Sequence, residues 1–174
     1  GVTMALSPIT SQLRGAGRTA EVGRQIRQGL WLCLASSTIL IFILLNASFL
    51  FRLAEIDPNV SRIASEYLQA VSWGIPPVIL YVALRHTAEG MGLTRPPMLI
   101  AGSVLPLNAL LNYALVYGNW GAPELGGVGC GWATAIVFWV ELGLMAFVVR
   151  LRQFRATNTF AEFNSPNLSV CLLY

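Results

Sequence analysis

The sequence predicts an all-α integral membrane protein, and three observations carry that expectation. Only 11% of its 174 residues are charged against 55% hydrophobic, less than half the charge of an ordinary soluble domain. Mean hydropathy is +0.63. The uncharged residues are gathered into runs long enough to cross a bilayer, with arginines between them. So little charge cannot cover the surface of a water-soluble globule of this size. The same composition excludes intrinsic disorder and a basic nucleic-acid arm.

The elements follow in order. Residues 1–13 form an apolar stub too short to span alone, because ~20 helical residues are needed to cross ~30 Å of hydrocarbon. Residues 29–51 hold 23 uncharged positions between Arg27 and Arg52. Residues 67–84 give 18 more between Glu66 and Arg85. Residues 98–117 are the apolar part of the next uncharged run, and 128–149 form the last, interrupted by Glu141. This gives four full spans preceded by the end of a fifth. Asp57-Pro58-Asn59 reads as a turn and helix start, and Thr94-Arg95-Pro96-Pro97 as a stop followed by a new start. Pro8, Pro76, Pro77 and Pro106 are expected to bend helices.

Arginine placement sets the orientation. All eleven basic residues are arginine, and counting alternate inter-span segments places nine on one side and two on the other. Arginine-rich short segments stay cytoplasmic, so the 118–127 loop, which has no arginine, faces outward. The net charge of +3 is loop charge of this kind, with no sign of a nucleic-acid face.

Few polar side chains fall inside the spans. Asn108 and Asn112 are four residues apart and share a helix face, just after Pro106. They suit a cavity lining, where amides bind substrate, ion or water, or a hydrogen-bonded contact between helices. Glu141 is the one acidic residue deep in a span, about 14 Å of helix rise from Arg150. It suits a proton-relay or cation site, or a carboxylate facing water or paired with an arginine of a neighbouring loop. Thr134, seven residues earlier, lies near the same face. Lone His86 sits beside Arg85 at an inner helix end, a position for solvent or headgroups, with Glu89 as a pairing partner. The glycines of 126–131 lack the strand and lysine of a phosphate loop, and are expected to let helices approach closely, including Gly127 and Gly131. Trp73, Trp120, Trp132, Tyr113 and Tyr117 read chiefly as an interfacial belt, with a drug-stacking surface as the alternative. Cys33, Cys130 and Cys171 fit no disulfide or metal spacing. With no nucleophile set, ligand cluster or paired carboxylates, the sequence predicts no enzyme and no cofactor.

Several segments resemble the multidrug and toxin extrusion (MATE) family. Glu89-Gly-Met-Gly-Leu-Thr-Arg-Pro-Pro-Met98 is similar to the family's inner loop between its fourth and fifth helices. Leu107-Asn-Ala-Leu-Leu-Asn-Tyr113 with Val116-Tyr-Gly118 resembles the fifth helix. Ala122-Pro-Glu-Leu-Gly-Gly-Val-Gly-Cys-Gly131, then Ala133-Thr-Ala-Ile-Val137, resembles the following loop and sixth helix of the bacterial NorM-type branch. Ala5-Leu-Ser-Pro-Ile-Thr-Ser-Gln-Leu-Arg-Gly-Ala-Gly-Arg18 resembles the end of the second helix and its inner loop. The likeness runs in order from residue 1 to about 155.

The resemblance implies two six-helix bundles that export drugs by alternating access, driven by Na+ or H+, in the bacterial inner membrane. Residues 1–155 would then be part of the amino-terminal lobe, from the end of the second helix through the sixth. Residues 156–174 would be an inter-lobe linker and the start of the next helix. The first helix and second lobe would lie outside the chain, and the substrates would be amphipathic organic cations. By motif, Asn108 and Asn112 match the polar pair of the family's fifth helix, and Thr134 matches a sixth-helix threonine. In some relatives the second amide is an aspartate that joins a first-helix aspartate around a cation. Asparagine at 112 departs from that pattern, and Glu141 matches no family motif. Alternatives in the same frame are a truncated, non-transporting membrane piece or a lipid-linked oligosaccharide flippase of the same superfamily.

Overall fold

A computed structural model describes residues 2–47, 49, 51 and 57–150. The proposed linker at 156–174 lies outside the described residues. Among the described residues a short 3-10 turn is followed by α1 (Leu6–Gly15), α2 (Thr19–Leu45), α3 (Pro58–Ser72), α4 (Ile75–Gly90), α5 (Arg95–Tyr117) and α6 (Gly127–Arg150). No strand occurs among the described residues.

Local chemistry sets the helix ends. The Asp57 carboxylate accepts a 2.8 Å bond from the Asn59 backbone N–H, and Pro58 opens α3, so one of the helix's orphan donors is satisfied. Pro96 and Pro97 occupy the first turn of α5, where a missing N–H costs nothing. Gly118, at φ 68°, closes α5 in the left-handed conformation, which glycine adopts without a Cβ clash. Between α3 and α4 the chain bends by 44° at Trp73-Gly74, ahead of Pro76 and Pro77. The uncharged run 67–84 is therefore divided between two helices, α3 and α4, that meet at this bend. The indole N–H of Trp139 on α6 donates to the Trp73 carbonyl at 3.2 Å, satisfying an acceptor that the bend frees. Pro106, by contrast, sits inside one continuous helix, although its ring removes the bond to the Gly102 carbonyl.

The helices pack around α4 and α6. Val22 and Ile26 of α2, Tyr81, Leu84 and Ala88 of α4, Ile100 and Val104 of α5, and Val137, Met145 and Val149 of α6 form one buried cluster. Leu6, Cys33 and Ala83 form a second, under α1. Glycines bring backbones together at four places. A Cβ added at Gly90 would lie 2.5 Å from the Ser7 carbonyl oxygen, and one at Gly129 would lie 2.5 Å from that of Leu115. Gly74 abuts Ala135, and Gly131 abuts Tyr67 and Ala70. Gly127, expected to act with Gly131, has nothing within 4 Å. The close approach belongs to Gly129 instead, because α6 meets α5 one edge round from the face carrying Gly131.

Three helices are long and apolar enough to cross a membrane, at 21–45, 95–117 and 127–150, and the bent α3–α4 pair makes up to four. Only 11% of the α5 window is buried inside the molecule. Its apolar surface, including Met98, Leu99, Leu105 and Leu110, therefore needs hydrocarbon or further protein against it.

Candidate functional site

Asn108 and Asn112 are joined to each other. The Asn112 side-chain amide donates to the Asn108 carbonyl at 3.0 Å and to Asn108 Oδ1 at 2.6 Å. Both of its N–H groups are thus used within α5. Its own Oδ1 is buried without a partner, a costly state for a polar atom in an apolar setting. Leu115, one helical step further along this stripe, is the residue whose carbonyl Gly129 approaches. The amide stripe of α5 therefore lies toward α6.

Thr134 donates its hydroxyl proton to the Cys130 carbonyl at 2.9 Å, the back-bond that hydroxyls make in apolar helices. Its oxygen lone pairs remain open. Glu141 lies two turns further along α6, on the same face by helical spacing, and is half-buried. No ion pair of Glu141 occurs among the described residues. Arg85 holds Glu89 at 2.8 Å, and Glu89 reaches His86 Nδ1 at 3.2 Å. Tyr81, one turn from Arg85, is buried, and its hydroxyl has no hydrogen-bond partner among the described residues.

The four expected residues thus form two sets. Among the described residues no hydrogen bond joins the amides of α5 to Thr134 or Glu141. At ~100° per residue, the Thr134–Glu141 face is turned roughly a third of a circle from Gly129. Tyr81 was not anticipated, although its i, i+4 spacing to Arg85 was the available signal. Two apolar grooves are lined by other residues. One of about 460 Å³ lies between Ile41, Leu45, Gln69, Trp73, Pro76 and Trp139; another of about 390 Å³ runs beside Val60, Ile63, Tyr67 and Gly127. Among the described residues no group of three or more His, Cys, Asp or Glu could hold a metal ion.

Three long apolar helices, a bent apolar helix pair and isolated polar atoms within them define a multi-pass α-helical membrane protein. The chain matches the MatE family model over residues 1–114. It is 38% identical to the multidrug resistance protein MdtK of Yersinia pestis (strain Pestoides F) over 98% of its length. It is 41% identical to the multidrug resistance protein NorM of Vibrio cholerae serotype O1 over 95% of its length. A solved inward-facing multidrug resistance MATE family transporter of the MOP superfamily superposes with TM-score 0.85 at 18% identity over 99% of the chain, which shows the shared fold. The chain belongs to the MatE family. It spans 38% of MdtK, 36% of NorM and 38% of the solved transporter.

Proposed function

We propose that the chain forms part of the amino-terminal lobe of a multidrug exporter in a bacterial cytoplasmic membrane. Efflux of amphipathic organic cations is coupled in this reading to an inward Na+ or H+ gradient. The relatives named above are multidrug resistance proteins, and the fold is that of a MATE transporter. One observation carries the site: Asn112 Oδ1 is buried and unpaired on the stripe facing α6. An acceptor oxygen left open in an apolar setting suits a cation or an N–H-bearing substrate, and Thr134, its proton already donated, offers lone pairs of the same kind. Asn108 sets the orientation of Asn112. Glu141, half-buried on α6, lines the inner half of the path in this reading.

A chimera tests this, with the chain replacing the matching segment of the Vibrio cholerae relative. Cells carrying it should keep intracellular ethidium low, and Asn112→Leu should raise accumulation at unchanged membrane expression. Export that Asn112→Leu leaves intact would remove Asn112 from the site. Running the assay against Na+ and H+ gradients separately identifies the coupling ion.

A further inference from the structure

The apolar groove of about 460 Å³ is one part of a longer furrow between α2 and α3 that the export path leaves unused. It lies between Ile41 and Leu45 of α2, Trp73 and Pro76 at the bend, and Trp139 of α6. A second hollow of about 240 Å³ is bounded by Leu44, Leu45, Arg62, Ser65, Glu66 and Gln69. Leu45 and Gln69 border both hollows, so the two meet there. Helical spacing accounts for the continuity. Ile41, Leu44 and Leu45 share one face of α2, and Arg62, Glu66, Gln69 and Trp73 follow one stripe down α3. From Arg62 to Trp73 that stripe rises about 16 Å, close to the ~15 Å of hydrocarbon in one leaflet.

The two ends differ in chemistry. The deep end is lined by aliphatic side chains and two indoles, and Trp73 and Trp139 are both exposed. The shallow end carries an ion pair, Arg62 to Glu66 at 3.2 Å, with side chains 67% and 47% exposed. Arg62 belongs to the outer arginine set, so this end lies at the level of the outer headgroups. Exposed Gln69 stands between the two ends, with an amide that can donate hydrogen bonds.

We propose that this furrow holds a zwitterionic phospholipid of the outer leaflet, with a phosphate and a primary ammonium in its headgroup. One acyl chain lies in the apolar groove. Arg62 donates to the phosphate, the ammonium donates to Glu66, and Gln69 donates to an ester carbonyl. A headgroup carrying both signs matches the paired charges, and charge-assisted bonds of this kind are the strong ones. An anionic headgroup would stand against Glu66, and an organic cation against Arg62. A protein helix laid over the furrow would have to desolvate the ion pair. A plain surface ion pair accounts for Arg62 and Glu66 alone, and not for the apolar furrow that continues beneath them. The inference stands apart from the export reading.

The test follows tryptophan fluorescence of the full chain in dodecyl maltoside micelles, titrated with phosphatidylethanolamine bearing dibrominated chains. Bromine quenches an indole that it touches, so quenching should saturate, and Trp73→Phe should remove much of the saturable signal. Phosphatidylglycerol with the same chains should bind about fivefold more weakly. Glu66→Gln should erase that preference, and Arg62→Gln should weaken both lipids about fivefold. Glycerophosphoethanolamine, the headgroup without chains, should not displace the lipid at equal concentration. Helical circular dichroism reports whether each variant folds, and the two lipids compared on the unaltered chain keep the test valid if one does not. Quenching that rises without saturation, or equally for both lipids, assigns the furrow to ordinary surrounding lipid and overturns the proposal. A preference that survives Glu66→Gln, or displacement by the chainless headgroup, overturns it too. The saturable phase should persist in the Vibrio cholerae chimera; its loss there would mean that a helix of the longer transporter fills the furrow, and would overturn the lipid site.

Discussion

Gly129→Ala tests the packing that sets α6 against α5. The added Cβ would fall 2.5 Å from the Leu115 carbonyl oxygen and 2.7 Å from its carbon. Both atoms are backbone, so no side chain can swing aside. Restoring ordinary contact requires the helices to part by about 1 Å, which loses dispersion along the whole seam. Helix association in lipid draws on this packing, because hydrocarbon solvates apolar side chains as well as a neighbouring helix does. The overpacking cost is about 1–3 kcal/mol. Alanine's better helix propensity returns at most about 1 kcal/mol, so even at full return the net loss reaches up to about 2 kcal/mol. Gly143→Ala is the control, since that position in α6 has nothing within 4 Å and should be neutral or gain a few tenths of a kcal/mol. The assay is unfolding of the purified chain in mixed micelles by increasing SDS fraction, followed by circular dichroism and tryptophan fluorescence. Gly129→Ala should unfold at lower SDS than Gly143→Ala. A variant as stable as that control would refute the close approach of α5 and α6.

Three further outcomes follow from the geometry. Gly90→Ala would meet the Ser7 carbonyl at 2.5 Å, so α1 should lose its seat on α4; amide exchange in Leu6–Gly15 should speed up while α6 stays protected. Asp57→Ala removes the 2.8 Å cap on α3 and should cost about 1 kcal/mol in the SDS titration, with Asp57→Asn restoring most of it. In a Cys171→Ser background, exposed Cys130 should react with a membrane-impermeant maleimide added to intact spheroplasts, while buried Cys33 stays unlabelled. Labelling of Cys130 only after permeabilisation would invert the orientation read from the arginines.

The sequence announced some elements and hid others for identifiable reasons. The runs before Phe51 and after Pro96 read as spans because their apolar length exceeds the membrane's thickness. The 67–84 run read as one span as well, since hydropathy has no term for direction. It could not say that Trp73-Gly74 would turn the chain by 44°, nor that Trp139, sixty-six residues away, would take up the freed carbonyl. The glycine spacing pointed to Gly127 and Gly131. Contact chose Gly129 and Gly131, because the helix needed small residues on two edges, against α5 and α3.

The candidate site divides in the same way. Asn108 and Asn112 were legible as a pair from spacing alone, and their mutual hydrogen bonds are local to α5. That the remaining oxygen of Asn112 would be buried and unpaired depended on where α6 came to lie. Glu141 announced itself as a charge in an apolar run, while its half-burial required neighbouring helices to be laid alongside α6. By itself the sequence determined the solvent, the helical class and the family, because those rest on composition, run length and local motifs. The tertiary structure alone decided which polar atoms share an environment. That is a matter of contacts between residues on different helices, and no periodicity within one helix encodes them.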